Sequence, residues 1–376
     1  MNLPVVDRSA LGASAEAVAA VGPLGFRVVE RAFTYRLGAD GVERVDGLDE
    51  AAAVVALSEA AWDHFASQTR TFINLFLAGT LTFERGHFEH LAEWDPVLKL
   101  LHAAIPIYDP ARADLSRVDL RRVFTLESSD AELRGFLDIA GFLHLGGVFT
   151  PSEMAALNEE VDRLAALARP GDDESWWVTD ETGAEVLCRL IYAGLRSPLV
   201  ARLEEDPRVR RLGTLVDPVH RPAPDRMEGT AILLKVPGAT SGLSNIPWHQ
   251  DCGMGGHAVF CPAVAVGIQI TGSSATTGNL LLVPGSHGQT LPWGWERRLR
   301  DVPVVAVDTE PGDVTVHVQD LTHASPQPSG EGGRRTMYVT HYPPTLWEHI
   351  GPGQAFNDLV RNRGRETAAL RPSSIA

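Results

Sequence analysis

The chain has few cysteines and no long uninterrupted hydrophobic run. Its 376 residues include three cysteines, Cys188, Cys252 and Cys261. Their odd number and irregular spacing argue against a disulfide framework or a cysteine-based zinc site and favour a reducing cytoplasm. The most apolar stretch, FINLFLAGTLTF, is too short to cross a bilayer, which needs about 20 residues. The first residues also lack the basic start and apolar run of a secretory signal, so we expect a cytoplasmic protein.

Positive charge is also scarce. The formal net charge is -15, which argues against nucleic acid or an anionic membrane as the partner, because both require a basic face. A small acidic ligand is still compatible with the sequence, since a site can be locally basic inside an acidic protein. We therefore expect a small-molecule substrate, and the sequence does not indicate an oligomeric state.

Composition divides the chain into three parts. Residues 1–125 are predicted to form an α-rich accessory region, because the Ala-rich stretch 50–68 is apolar at helical spacing. Within it, residues 24–46 are typical of two strands around a Gly-Ala-Asp-Gly turn. Residues 126–345 are predicted to form the main domain, in which Thr150 is the N-cap of a helix with a capping box. A polar tail, residues 346–376, completes the chain.

Beyond Glu228 the sequence becomes a series of short apolar segments separated by Gly, Pro, Asn and Asp. In one of them Val264, Val266 and Ile268 alternate with smaller or polar residues, which is typical of a strand with two different faces. Many short strands with such turns predict a sandwich or barrel, and a jelly roll is a standard way to close one. The predicted fold is therefore β-rich α+β.

The strongest local motif is Trp-His-Gln-Asp at residues 248–251. In a strand His249 and Asp251 would point to the same face, so that an imidazole and a carboxylate converge. His323, which follows a later strand, supplies a candidate third ligand. Two histidines and one carboxylate form the facial triad of non-haem iron(II) oxygenases, whose open positions accept a 2-oxo acid and then dioxygen.

Other residues compete with this triad or could assist it. His87 and His90 lie three apart in a predicted helix and could also bind a metal, although a solvated helix face is more typical of such a pair. His317 is a rival third ligand on a strand, where packing or support of the ligands is the more typical role. Trp248 and Gln250 flank the first histidine of the motif, and either could contact substrate or support the ligands.

A 2-oxo diacid also needs a fixed cation for its distal carboxylate, and arginine offers two parallel hydrogen bonds. Arg334 and Arg335 begin a strand soon after the candidate third ligand. Adjacent strand residues point to opposite faces, so only one of them can face the site, and alternation alone does not decide which. Ser325 could bind the same carboxylate, and Lys235 could meet a carboxylate of cosubstrate or substrate.

Four motifs in this order resemble the phytanoyl-CoA dioxygenase family over about residues 130–345. The resemblance implies a double-stranded β-helix (jelly-roll, cupin-like) core with flanking helices, and an oxygenase that uses Fe(II), 2-oxoglutarate and O2. In the family the cosubstrate arginine follows the distal histidine by eleven residues, which selects Arg334, and Ser325 matches a polar position near the cosubstrate. The motifs are GFLHLGGVFTPSEMAALNEEVDRL, WHQD, GNLLLVPGSH, and GDVTVHVQDLTHAS followed by Arg-Arg.

The resemblance also implies that His249, Asp251 and His323 are the iron ligands. Related halogenases replace the carboxylate ligand with a small residue, so Asp251 predicts hydroxylation instead of halogenation. Thr277 departs from the family, which often has Asn before Gly278. The expected reaction releases succinate and CO2 and hydroxylates a small molecule or natural product. The alternatives are a cupin-type metalloenzyme that does not use 2-oxoglutarate and a non-catalytic jelly-roll binding module.

Overall fold

The computed structural model describes residues 6–222, 229–239, 245–251, 263–349 and 357. Cys252, Cys261 and most of the predicted tail lie outside the described residues. Cys188 is buried. Within the described part of the chain, no helix is long and apolar enough to cross a membrane.

The N-terminal region contains a five-stranded mixed sheet covered by helices. Neighbouring strands are antiparallel except for one central parallel pair. The strands are β1 (Leu24–Val28), β2 (Arg31–Leu37), β3 (Val42–Asp46), β4 (Ala53–Leu57) and β5 (Leu81–Arg85), in the order β3-β2-β1-β4-β5. The helices are α1 (Ser14–Val21), α2 (Glu59–Ala66), α3 (Phe72–Leu77) and α4 (Phe88–Ala103), and short 3-10 turns cover Arg8–Leu11, Pro110–Ala113 and Leu115–Arg117.

The prediction of an α-rich N-terminal region describes the helices but omits part of this sheet. The first half of the Ala-rich stretch is the strand β4, not a helix. This strand lies between β1 and β5 and is buried almost throughout, so its sequence is a continuous apolar run that periodicity cannot distinguish from a helix. The helix α4 is continuous through Pro96.

A second, larger sheet forms the main part of residues 142–342. Its pairings are all antiparallel, and short predicted strands match most of its members. The strands are β6 (Phe142–Leu145), β7 (Ser175–Thr179), β8 (Glu185–Leu190), β9 (Arg221–Pro222), β10 (Ala231–Lys235), β12 (Val264–Gln269), β15 (Val314–Val318) and β17 (Arg334–Tyr342). Their order is β6-β15-β12-β17-β10-β8-β7, with β9 paired to β17.

A third sheet of four antiparallel strands contacts one face of the larger sheet. It contains β11 (Ile246–His249), β13 (Leu280–Leu282), β14 (Val305–Val307) and β16 (His323–Ser325), in the order β11-β16-β13-β14. Helices associated with the two sheets are α5 (Asp130–Ala140), α6 (Pro151–Leu167), α7 (Ala193–Arg196), α8 (Pro198–Glu204), α9 (Pro207–Gly213) and α10 (Trp295–Arg298), and a 3-10 helix covers Pro344–His349.

The two faces of the larger sheet differ in chemistry. Its outer face carries Val266, Val316 and Val339, which belong to a hydrophobic cluster shared with α5, α6, α8 and α9. Its inner face, defined here as the face that contacts the four-stranded sheet, carries polar side chains at the alternate positions, among them His317 and Arg334. The period-two alternation predicted for these strands therefore separates a core face from a polar face.

The predicted start of α6 is confirmed. The Thr150 hydroxyl accepts a hydrogen bond from the Glu153 backbone N–H at 3.2 Å, and the Glu153 carboxylate accepts one from the Thr150 N–H at 2.7 Å. Because Thr150→Ala removes this cap, we expect the free energy of unfolding to fall by about 1 kcal/mol in urea titrations. Glu159→Ala, on the exposed side of α6, is the control and should stay within about 0.5 kcal/mol. Equal losses in the two variants would contradict the capping role.

Candidate active site

The candidate ligands His249 and His323 face each other across paired strands. His249 ends β11 and lies directly opposite His323, the first residue of β16, and their ring centroids are 4.2 Å apart. The His249 Nδ1 lies 2.8 Å from the Pro247 carbonyl oxygen, and the His323 Nδ1 lies 2.9 Å from that of Leu321. A proton on each Nδ1 satisfies these carbonyls, so that each Nε2 presents a lone pair to the space between the rings.

Asp251 completes the cluster from just beyond the end of β11. Its backbone N–H donates to the Gln319 carbonyl at 2.9 Å, which fixes the turn after the strand. Its Oδ1 lies 3.2 Å from the His249 Nε2 and 3.7 Å from the His323 Nε2. One ligand atom from each of the three residues fits within 4.8 Å of the others. The three predicted side chains therefore lie together, although β11 ends at His249 and the expectation that Asp251 lies on the same strand is wrong.

The electrostatics of the cluster favour an ionised carboxylate and neutral imidazole. Burial by itself would raise the pKa of Asp251, but the neighbouring His323, His249 and His317 rings outweigh burial and hold that pKa well below its usual range. Burial, with the nearby His249, lowers the pKa of His323 to about 3. A carboxylate and neutral imidazoles are the protonation states that bind a metal cation.

Two further side chains hold the second oxygen of Asp251. The His317 Nε2 lies 3.5 Å from the Asp251 Oδ2, and the Gln319 Nε2 donates to the same oxygen at 3.2 Å. His317 is thus beside the three-residue group and is not part of it. Gln319 was not among the predicted site residues. Gln319 follows His317 by two positions, and residues two apart in a strand share a face. This spacing was the signal in the sequence that could have placed Gln319 beside His317.

The flanking residues of the motif point away from the metal ligands. The Gln250 side-chain amide donates to the Gln289 carbonyl at 3.0 Å and also to the Asp320 carbonyl, so it ties two loops together. Trp248 packs against Trp295 with ring centroids 5.0 Å apart. These two indoles belong to an aromatic and aliphatic cluster that also contains Tyr108 from the N-terminal region.

The rival pair His87 and His90 forms a helix cap. The His90 Nδ1 accepts a hydrogen bond from the His87 N–H at 3.3 Å, at the start of α4. Among the described residues, neither histidine belongs to a group of three possible metal ligands.

Arg334 is buried on the inner face and is held by neutral groups. Its Nη1 donates to the Gly278 carbonyl at 2.8 Å and to the Ser325 hydroxyl at 3.3 Å, and its Nη2 donates to the Tyr338 hydroxyl at 2.8 Å. Its Nε donates to the Thr336 hydroxyl at 2.8 Å. Of the residues that the structure describes, none places a carboxylate in an ion pair with this guanidinium. Burial of a cation without an anion carries a free-energy penalty, so this position favours the binding of an anionic ligand.

Lys235 lies directly opposite Arg334 in the register of β10 and β17. Its Nζ donates to the carbonyl of Ser325 and, at 2.7 Å, to that of Pro326. Burial, together with the charge of Arg334, lowers the pKa of Lys235 to about 6. Ser325 therefore contacts both basic side chains, through its hydroxyl and its carbonyl.

Arg335 has a different environment from that of its neighbour. Its guanidinium forms an ion pair with Asp162 at 2.7 Å and donates to the Asn158 side chain at 2.9 Å, and both partners are in α6. It therefore lies on the outer face of the sheet, away from Ser325. The contacts with α6 therefore place Arg335 on the face of the sheet opposite to Arg334.

A partly buried two-histidine, one-carboxylate cluster on the inside of a β-rich α+β fold defines a class of metal-dependent proteins. The sequence profile of the family described as Phytanoyl-CoA dioxygenase (PhyH) matches residues 137–336, more than half of the chain. The chain therefore belongs to the phytanoyl-CoA dioxygenase family, a family of iron(II)- and 2-oxoglutarate-dependent oxygenases.

Individual relatives are more distant. Ectoine dioxygenase of Bordetella bronchiseptica is 29% identical over 157 residues, which cover 40% of this chain and 46% of that protein. The match therefore spans less than half the length of this relative. Among solved structures, AviO1 from Streptomyces viridochromogenes Tue57 is 24% identical, covers 58% of this chain and 96% of its own, and gives a TM-score of 0.46. EctD from S. alaskensis with bound Fe is 18% identical, covers 60% of this chain and 80% of its own, and gives a TM-score of 0.48.

Proposed function

We propose that this protein is an iron(II)- and 2-oxoglutarate-dependent oxygenase that hydroxylates a small molecule and releases succinate and CO2. The observation that carries the proposal is the convergence of three metal-binding side chains, His249, Asp251 and His323, on the inner side of the sheets that also bury Arg334. Membership of the family supports the same chemistry.

The donor set fits Fe(II). Both imidazoles use Nδ1 toward backbone carbonyls, so two Nε2 lone pairs and one carboxylate oxygen share a small space. When each Nδ1 carries the ring proton, no proton lies between these three atoms, and a bound cation relieves their mutual repulsion. A structural zinc site would instead fill four positions, usually including cysteine, whereas three facial ligands leave room for cosubstrate and dioxygen.

The basic side chains fit a dicarboxylate cosubstrate. Arg334 lies beside Ser325, and neither side chain has an anionic partner among the described residues, so together they can bind the distal carboxylate of 2-oxoglutarate. Lys235 holds the Ser325 and Pro326 carbonyls, which keeps the end of β16 close to β17. We assign Lys235 to the positioning of this anchor.

Fe(II) with 2-oxoglutarate and O2 would supply the oxidising chemistry, coupling decarboxylation of the cosubstrate to oxygen insertion into a C–H bond of the substrate. The chain supplies the rest. His249, Asp251 and His323 would hold the metal, and His317 with Gln319 would orient the Asp251 carboxylate. Because Asp251 occupies a ligand position that halide would need, we propose hydroxylation instead of halogenation.

The topology supports a jelly-roll core. The eight-stranded and four-stranded antiparallel sheets contact each other through the polar inner face, and we propose that together they form the double-stranded β-helix. We further propose a catalytic domain over residues 126–345, an accessory region over 1–125 and a tail over 346–376. Separate hydrophobic clusters, one within residues 6–101 and one within 124–339, support the first boundary.

The test is succinate formation from 2-oxoglutarate by the Fe(II)-loaded protein under air. A reaction that needs Fe(II), O2 and 2-oxoglutarate together supports the proposal. A metal-dependent reaction that proceeds without 2-oxoglutarate would indicate a cupin-type enzyme of another kind. Absence of both iron binding and turnover would indicate a binding module.

Gln319 offers a test of how the carboxylate ligand is oriented. Gln319→Leu removes the hydrogen bond to the Asp251 Oδ2, so we expect the Fe(II) affinity to fall about 10-fold, measured by competition with a colorimetric chelator. Gln68→Leu removes another buried glutamine, whose amide donates to the Phe65 carbonyl in the N-terminal region. This control should leave the Fe(II) affinity unchanged, and an equal loss in both variants would refute the orienting role.

A further inference from the structure

A third basic side chain, Arg189, lies on the inner face of the larger sheet. It is in β8 and pairs in register with Leu233 of β10, two residues before Lys235. Direct partners in an antiparallel pair share a face, and so do residues two apart in a strand. Arg189 therefore points to the same side as Lys235 and Arg334. Two strand spacings of about 4.8 Å separate β8 from β17, so Arg189 is offset from the Arg334 strand by about 10 Å.

The Arg189 guanidinium is held in place by stacking. Its central carbon lies 4.9 Å from the centroid of the Trp176 ring, and Trp176 is its direct partner in the register of β7 and β8. The Trp176 ring in turn contacts a small cluster that includes Ala231 of β10. Stacking of this kind fixes the plane of a guanidinium and leaves its edge N–H groups free to donate.

No protein group satisfies these donors in the part of the chain that the structure describes. The Arg189 Nε is buried and has no hydrogen-bond partner, and no carboxylate forms an ion pair with this side chain. By contrast, Arg196, close to it in sequence, forms an ion pair with Glu174 at 3.0 Å, as surface arginines commonly do. A buried guanidinium N–H without an acceptor is destabilising, and an anionic ligand removes that penalty.

The cosubstrate does not account for this third basic side chain. One carboxylate of 2-oxoglutarate is assigned to Arg334, and its keto-acid end to the metal. Arg189 is offset from both, in a chain whose net charge is -15. A stacked, planar guanidinium that forms no ion pair with the described residues matches the geometry of a carboxylate that accepts two parallel hydrogen bonds.

We propose that Arg189, positioned by Trp176, binds a carboxylate of the primary substrate, so that the substrate class is organic acids. The inference rests on the proposed function, because it assumes that Arg334 and the metal are already occupied by 2-oxoglutarate. Arg189 then fixes the orientation of the substrate through its acid group. Because β10, β17 and β12 lie between β8 and β15, which carries His317 beside Asp251, a substrate that also reaches the metal must be elongated.

The test compares an acid with its neutral isostere. Cyclohexanecarboxylate and cyclohexanecarboxamide are titrated calorimetrically into protein loaded with Fe(II) and 2-oxoglutarate in the absence of oxygen. We expect the acid to bind the wild-type protein at least about 10-fold more tightly, the ratio expected for one charge-assisted pair. Arg189→Gln should abolish this preference, and Arg189→Lys should retain a smaller one, since it keeps the charge and loses the planar fork.

Arg335→Gln is the matched control, because it removes a guanidinium from the same sheet on the outer face. It should keep the full preference for the acid. Equal affinities of acid and amide in the wild type, or an unchanged preference in Arg189→Gln, would overturn the proposal. So would a weaker binding of 2-oxoglutarate itself in Arg189→Gln, because that result would assign the residue to the cosubstrate. Failure of the proposed function would appear differently, as no succinate formation by the wild type.

Discussion

Asp251→Ala and His323→Ala are each expected to abolish Fe(II) binding and succinate formation. Either substitution leaves two ligands where the metal needs three, and the loss of Asp251 also removes the only negative charge of the cluster. Metal content after equilibrium dialysis against Fe(II), measured by elemental analysis, reports the first effect. Succinate released under saturating 2-oxoglutarate reports the second. Wild-type activity in either variant would refute the metal assignment.

Two matched controls separate ligand loss from general damage. Asp162→Ala removes an exposed carboxylate that pairs with Arg335 on the outer face. His87→Ala removes an imidazole from the cap of α4, which was the rival candidate metal site in the sequence. Both controls should bind one equivalent of Fe(II), as we expect for the wild type. Loss of iron from His87→Ala with retention in His323→Ala would move the metal centre to the N-terminal region.

Arg334→Ala is expected to raise the KM for 2-oxoglutarate by at least about 30-fold. Removing one partner of a buried, hydrogen-bonded charge pair costs about 2 kcal/mol or more, which corresponds to that ratio. The measurement is the initial rate of succinate formation as a function of 2-oxoglutarate concentration. Arg334 also donates hydrogen bonds to Gly278 and Tyr338, so its removal could destabilise the protein. The folding of the variant is therefore checked by thermal denaturation. Arg334→Lys, which keeps the charge, should give an intermediate KM.

Arg335→Ala is the comparison for this experiment, since it is the adjacent residue on the same strand. Its guanidinium contacts Asn158 and Asp162 in α6, so we expect the KM for 2-oxoglutarate to change by less than about threefold. A larger effect in Arg335→Ala than in Arg334→Ala would show that the cosubstrate anchor has been assigned to the wrong guanidinium.

The sequence was informative where a local pattern carries the geometry. The alternation of Val264, Val266 and Ile268 predicted a strand with two faces, and Thr150 with Glu153 predicted the start of α6. The first feature is a period-two pattern and the second is a contact between residues three apart, so both can be recognised without knowing the fold. The strand β4 could not be recognised in this way, because its helix-like apolar run becomes a strand only through pairing with β1 and β5.

The candidate site shows the same division. His249 and Asp251 belong to one motif, although the strand ends at His249 and Asp251 is held by the Gln319 carbonyl beyond it. Gln319 was missed because its role depends on a contact between distant segments. Arg189 was missed for a related reason, since nothing near it in the sequence shows that β8 pairs with β10 and presents it to the inner face.

The cluster around Trp248 joins parts of the chain that are far apart in sequence. The Tyr108 hydroxyl donates to the Pro284 carbonyl at 3.2 Å, and Glu93 of α4 forms an ion pair with Arg298 of α10. The N-terminal region thus contributes an aromatic ring to the cluster adjoining the first metal ligand. Exchange of the N-terminal region for an unrelated one would therefore remove the Tyr108 ring from the cluster that contains Trp248, the residue before His249.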